Sequence, residues 1–139
     1  MIKRIILFLL FASLIVLLIT SVILQPNHKK LAETLTVKTD NITHLKITNL
    51  AGEYRTTTDP QQIQYLIDYL NTMTYKRLVD DQTAFMPTRT IIIYLFEGEK
   101  VDFIIPYGQE AMINRKVYQI EDGYIESNFL ADFHDALLE

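Results

Sequence analysis

The chain has 139 residues, enough for one small domain, and carries 13 Lys and Arg against 17 Asp and Glu, for a net charge of −4. This balance makes nucleic acid an unfavourable partner, because phosphate backbones repel an acidic surface. The chain has no Cys, which excludes disulfides, thiolate metal ligands and a lipid-modified Cys. We therefore expect one acidic, disulfide-free domain that binds no nucleic acid.

Residues 5–24 form an apolar run without charge, in which only Ser13, Thr20 and Ser21 are polar. A helix of this length, at about 1.5 Å per residue, is roughly 30 Å long and matches a bilayer's hydrocarbon core. We predict an N-terminal signal-anchor or transmembrane helix within 1–24. The alternatives are a soluble core helix and a cleaved signal peptide, although the run is long for a signal and no A-x-A-like site follows it.

The charges beside this run predict its orientation. Lys3, Arg4 and the α-amine precede it and Lys29 and Lys30 follow it, a small excess that favours a cytoplasmic N-terminus. From Leu31 onward the chain has 9 Lys and Arg against 17 Asp and Glu, a net charge of −8. The predicted localisation is therefore a single pass through the cell membrane, with the acidic C-terminal domain extracytoplasmic.

Residues 25–41 are predicted to be a linker, because Pro26 stops the helix and the following residues are polar and rich in Thr. The later part of this linker fits either a stalk or an edge strand. The folded domain is predicted over 42–139. It opens with a β-hairpin, in which Leu45 and Ile47 alternate with polar residues before a Gly-containing turn.

An amphipathic helix is predicted to follow this hairpin. Asp59 is a good N-cap, Pro60 is tolerated at the first helical position, and Gln62 is expected to complete a capping box. Tyr65 and Tyr69 flank the buried stripe, either as the lining of a pocket or as the edge of the core. The stripe itself recurs at helical spacing and consists of Ile63, Leu66, Ile67, Leu70 and Met73.

The rest of the chain is predicted to form short strands and a second amphipathic helix. Asp102 marks one face of its strand as partly wet, and His134 is expected to be solvated on the last helix. The predicted strands cover 75–79, 88–96, 100–106, 111–113 and 117–120, and the helix begins at Ser127 or Asn128. Strands joined by tight turns imply an α+β fold: a mainly antiparallel sheet with two amphipathic helices, after one transmembrane helix.

The sequence contains no recognisable catalytic or metal-binding constellation. No Ser lies in a G-x-S-x-G elbow, the three His are far apart, and each Gly is isolated. The pair Asp80-Asp81 lacks the spacing of a calcium loop. We therefore predict no catalytic residues, no metal and no cofactor. Paired carboxylates stay an alternative, because the 17 acidic residues supply many pairs.

The segment 42–139 resembles a group of small bacterial proteins. The resemblance rests on the motif GEYRTTTDP, an Ile-xx-Leu-Ile-xx-Leu helix, the segments TYKR and INRKVYQI, and a Phe-Leu-xx-Phe helix. These features are similar to those of small extracytoplasmic domains of unknown function, lipoprotein-like or membrane-anchored, from Bacillus-type Gram-positive bacteria. The resemblance implies no particular activity. This chain departs from the lipoproteins by lacking their Cys, so the anchor helix is expected to replace the lipid.

These observations predict a non-enzymatic, membrane-anchored, extracytoplasmic domain for interaction or ligand sensing, with a possible protein partner at the cell surface. The expected contact residues are amphipathic aromatics: Tyr65, Tyr69, Tyr94 and Tyr107. The alternative is a membrane-anchored, cell-wall-associated hydrolase that uses two carboxylates about 5–10 Å apart. A subunit of a membrane complex is a third possibility, although the apolar run lacks the small-xxx-small stripe of packed membrane helices.

Overall fold

The computed structural model describes residues 11–17, 28–78 and 90–137. Residues 28–78 and 90–137 form an α+β domain with one eight-stranded sheet, two α-helices and two short 3-10 helices, Leu31–Glu33 and Thr39–Asn41, and residues 11–17 are helical. The predicted loop 80–87 lies outside them. The strands are β1 (His28–Lys29), β2 (His44–Thr48), β3 (Tyr54–Thr57), β4 (Thr74–Arg77), β5 (Ile93–Glu97), β6 (Lys100–Tyr107), β7 (Glu110–Ile113) and β8 (Lys116–Glu121). The helices are α1 (Pro60–Asn71) and α2 (Ser127–Ala136).

All neighbouring strands are antiparallel, in the order β1-β4-β8-β7-β6-β5-β2-β3. The centre of the sheet is a meander, β5 to β8, because each of these strands is joined to the next by a tight turn. The β2–β3 hairpin extends this meander at one side, and β4 and β1 extend it at the other. The three predicted hairpins are confirmed, and their turns explain why the sheet is antiparallel.

No helix among the described residues is long and apolar enough to cross a membrane. The described part of the predicted span, 11–17, is helical, and seven residues rise about 10 Å, a third of the hydrocarbon core. The rest of that span lies outside the described residues. On this finding the predicted transmembrane signal-anchor helix is wrong, and so is the predicted single-pass localisation with its extracytoplasmic C-terminal domain.

The main core lies on the face of the sheet that α1 and α2 cover, while Ile105, Met112 and Val117 are buried on the other face. Four isoleucines are cross-strand neighbours over β2, β5, β6 and β7, and all are fully buried: Ile47, Ile93, Ile104 and Ile113. Burying one such side chain contributes about 1.5–3 kcal/mol. The predicted stripe of α1 is confirmed, because all five of its residues are buried.

The segment that precedes β2 is part of this core. Strands β1 and β2 lie far apart in the sheet order, so the chain between them has to pass across the sheet. Leu31 and Val37 are buried in the core on this path. The described part of the region predicted to be a linker, residues 28–41, therefore belongs to the folded domain.

Asp102 on β6 anchors this crossing segment. Its carboxylate accepts hydrogen bonds from the Thr36 N–H (2.6 Å), the Thr36 hydroxyl (2.5 Å), the Val37 N–H (2.9 Å) and the Asn114 side-chain amide (2.6 Å). The residue is 1% exposed. The prediction that it faces water is therefore wrong, because the crossing segment and the Asn114 side chain supply the hydrogen-bond donors in place of water.

We expect Asp102→Ala to lower the free energy of unfolding by about 3 kcal/mol, since it leaves four donors, two of them on the backbone, without their acceptor. Urea unfolding followed by circular dichroism measures this loss. The matched control is Glu99→Ala at the exposed β5–β6 turn, which we expect to stay within about 0.5 kcal/mol. Equal unfolding midpoints for the two variants would contradict this role of Asp102.

Candidate functional site

The first turn of α1 forms one wall of a cleft. The Asp59 carboxylate accepts a hydrogen bond from the Gln61 N–H (2.8 Å), which confirms the predicted N-cap ahead of Pro60. The predicted capping box is wrong. The Gln62 side-chain oxygen accepts a hydrogen bond from the Thr57 hydroxyl (2.5 Å), and the Asp59 N–H donates to that same hydroxyl (3.0 Å). Thr57 therefore ties the start of α1 to β3.

Helix α2 forms the opposite wall and runs antiparallel to α1. At one end, the Tyr69 and Phe129 rings stack with their centroids 3.6 Å apart, and the Glu126 N–H donates to the Tyr69 hydroxyl (2.8 Å). At the other end, residues of the last turn of α2 line the same cleft as the first turn of α1. Burial between the helices raises the pKa of Tyr69, although the hydrogen bond from Glu126 opposes this shift.

The floor of the cleft is aromatic. The Tyr65 ring lies 5.6 Å from that of Phe129 and 6.3 Å from that of Phe133, between centroids, and the two Phe rings are 6.5 Å apart. Each distance is in the range of favourable ring contacts, worth about 0.5–1.5 kcal/mol per pair. Phe133 is buried, whereas Tyr65 is 59% exposed. Part of this aromatic surface therefore faces the open cleft.

The cleft has a volume of about 450 Å³. This volume is within the usual range of small-molecule sites, and its mostly apolar lining is also typical of them. From α1 and the residue before it, the lining comes from Asp59, Gln61, Gln62 and Tyr65; from α2 and the residue after it, the lining comes from Phe129, Asp132, Phe133, Ala136 and Leu137.

A second, more polar depression of about 320 Å³ adjoins this cleft, and Thr56, Thr57 and Thr58 bring hydroxyl groups to it. The two depressions share Asp59 and three other lining residues. Asp59 therefore lies where the aromatic part of the site meets the hydroxyl-rich part.

The charges at the cleft are negative. Asp59 and Asp132 are both exposed and both line it. No Lys, Arg or His belongs to the lining of either depression among the described residues. Arg55 lies near the end of α2, but its guanidinium donates to the carbonyls of His134 (2.9 Å) and Asp135 (3.1 Å). The positive charge of Arg55 is therefore already paired with these carbonyl groups.

The four aromatic residues predicted to make contacts lie in two separate places. Tyr65 lines the cleft, and Tyr69 packs behind Phe129. Tyr94 and Tyr107 point to the opposite face of the sheet, where Lys46 lies 5.6 Å from the Tyr94 ring centroid. Burial, then the hydrogen bond and charge of Glu110, raise the pKa of Tyr107 to about 12. The structure thus brings Tyr65 and Tyr69 together and separates the other two from them.

His134 holds the end of α2 against the edge of the sheet. It is 1% exposed, so the prediction of a solvated side chain is wrong. Its Nε2 atom lies 3.2 Å from the Glu53 carbonyl oxygen and its Nδ1 atom lies 3.2 Å from the Asp135 carboxylate. Together with Arg55, this contact fixes the end of the cleft wall to β3.

Within 28–78 and 90–137, no group of three or more acidic or His side chains is placed to hold a metal ion. Of the residues that line the cleft, only Tyr65 was predicted from the sequence as a contact residue; Asp59, Asp132, Phe129 and Phe133 are among those that were not. The two Phe residues were assigned to the apolar stripe of α2, and only the packing of α2 against α1 reveals that they also line a cleft.

Compared with known protein families, curated proteins and solved structures, the chain matches none. The resemblance to small proteins of Bacillus-type bacteria therefore stays a prediction.

We expect Tyr69→Phe to lower the free energy of unfolding by about 1 kcal/mol at neutral pH, because the hydroxyl that accepts from Glu126 is lost. The matched control is Tyr65→Phe, whose hydroxyl makes no hydrogen bond with any described residue; we expect a change within about 0.5 kcal/mol. Urea unfolding measures both variants.

The same measurement at high pH tests the pKa shift. Because the folded state raises the Tyr69 pKa, the stability linked to its neutral phenol is complete below about pH 10 and is lost as the pH rises further. Wild type should therefore lose more stability between about pH 9 and about pH 11 than Tyr69→Phe does. Identical losses in the two proteins would rule out the shift.

Proposed function

We propose that this protein is a non-enzymatic ligand-binding domain whose ligand occupies the cleft between α1 and α2. The observation that carries the proposal is the cleft of about 450 Å³ with an aromatic floor. Aromatic faces left open to a concavity stabilise a bound apolar or aromatic group by stacking and by burial of its surface. Polar groups at the rim of such a site orient the ligand.

The contacts that hold the walls of the cleft also support this proposal. Its two walls are tied together by the Tyr69–Phe129 stack and to the sheet by Thr57 and His134. A preformed site loses little conformational entropy when a ligand binds. The cleft therefore has two properties that favour the binding of a small aromatic ligand: an apolar surface, and walls held in place by packing contacts.

Hydrolysis by paired carboxylates is the second candidate, because Asp59 and Asp132 line one cleft. Two features favour binding over this reaction. Asp59 is engaged as the N-cap of α1. Both carboxylates are exposed, whereas the general acid of such enzymes is kept protonated by an apolar pocket.

We expect Ala136→Leu to weaken binding in the cleft, because residue 136 is an exposed lining position and the larger side chain occupies part of the cavity. The test is a screen of neutral, cationic and anionic fragments of up to about 15 non-hydrogen atoms, read by amide chemical-shift changes in two-dimensional NMR spectra. In wild type, we expect the hits to cluster on residues that line the cleft.

The matched control is Ala131→Leu, the same substitution at an exposed position of α2 outside the cleft lining. It should retain the hits that Ala136→Leu weakens. Hits scattered over the surface in wild type, or unchanged in Ala136→Leu, would overturn the proposal. Cleavage of a glycoside substrate that depends on both Asp59 and Asp132 would favour the hydrolase instead.

A further inference from the structure

The charge around the cleft indicates which ligands it accepts, an inference that rests on the proposed function. Two carboxylates, Asp59 and Asp132, lie on its lining. Within the described residues, neither forms an ion pair, and Asp132 accepts no hydrogen bond. An anionic ligand would be repelled by both groups, and a neutral ligand would leave both without a counter-ion.

The aromatic floor of the cleft also favours a positively charged ligand. The faces of Tyr and Phe rings carry negative electrostatic potential, so a cation near Tyr65 or Phe129 is attracted by the ring as well as by the carboxylates. Such contacts strengthen binding about two- to fivefold at exposed sites. A flat apolar group gains from stacking on the same rings. The cleft therefore suits a ligand that combines an aromatic ring with a positive charge.

The position of Asp59 indicates where the positive charge of the ligand lies in the cleft. Asp59 belongs to the lining of both depressions, between the aromatic floor and the threonine hydroxyls of 56–58. Its Oδ1 atom accepts the Gln61 N–H, and its other oxygen accepts no hydrogen bond from the described residues. The partial positive charge at the start of α1 opposes a cation here, but the carboxylate carries a full charge and Asp132 on α2 adds a second.

We propose that the cleft selects small aromatic monocations of the arylalkylammonium class. The ring stacks against Tyr65 and Phe129, and the ammonium lies at the junction of the two depressions, near Asp59 and within the field of Asp132. The exposed hydroxyls of Thr56 and Thr58 in the second depression accept the remaining ammonium N–H groups or bind a polar extension of the ligand.

Three probes with one ring system and different charges test this selectivity: tryptamine (cationic), tryptophol (neutral) and indole-3-propionate (anionic). We expect tryptamine to bind about tenfold more tightly than tryptophol, since two exposed carboxylates and a cation–π contact each contribute modestly. Indole-3-propionate should bind most weakly. NMR titration gives each dissociation constant and the location of each probe.

The variants Asp59→Asn and Asp132→Asn remove the charge with little change in shape, and Asn is also a good N-cap, so α1 keeps its start. In the double variant, we expect the preference for tryptamine over tryptophol to fall below about threefold. The matched control is Asp68→Asn, which removes a charge from the exposed face of α1 outside the cleft and should preserve the preference. Raising NaCl to about 1 M should reduce the preference in wild type, because salt screens exposed charges.

The outcomes separate the two proposals. If tryptophol binds in the cleft as tightly as tryptamine, or if the preference survives in the double variant, the cation selectivity is wrong while ligand binding stands. If none of the three probes binds there, the selectivity is overturned, and the fragment screen decides whether the cleft binds anything. A preference that needs both carboxylates and weakens with salt supports the inference.

Discussion

The fold depends on covering one apolar face of a wide sheet with short elements. Eight strands at about 4.8 Å spacing make the sheet roughly 34 Å wide, whereas two helices side by side span roughly 20 Å. The segment that contains Leu31 and Val37 covers part of the remaining width, and Asp102 holds it there. This requirement explains why residues that look like a polar linker belong to the domain, and why an aspartate is buried in the sheet.

The cleft arises because the two helices that cover the sheet are short. The helices have 12 and 10 residues, about 18 Å and 15 Å long. They meet closely at the Tyr69–Phe129 stack and leave Tyr65 and Asp132 beside an opening at the other end. The contacts of α2 with the β2–β3 hairpin, from His134 to Glu53 and from Arg55 to the end of α2, hold this wall in place. The cleft therefore results from the way the two helices pack on the sheet. Its acidic, aromatic lining is the basis of the proposed selectivity for cationic, aromatic ligands.

Local signals in the sequence predicted most of the elements. The β2–β3 hairpin, the meander turns and the start of α1 at Asp59 depend on neighbouring residues, and these agree with the structure. Contacts between distant segments were not predictable in this way. Asp102 bonds to a residue 66 positions away, and His134 contacts a carbonyl 81 positions away. The pairing of Tyr69 with Phe129 is of the same kind, so the sequence indicated the cleft only through Tyr65 and Tyr69 beside the apolar stripe of α1. For the apolar run at 5–24, length and hydropathy alone predicted a membrane span that the described residues do not contain.

The central claim is that the space between α1 and α2 is a preformed binding site. The most direct test is a crystal structure of the full chain grown with tryptamine. We expect the indole ring against Tyr65 and Phe129, the ammonium near Asp59, and helices unmoved from the free protein. A structure in which Phe129 or Leu137 fills the cleft, or in which tryptamine binds elsewhere, would contradict it.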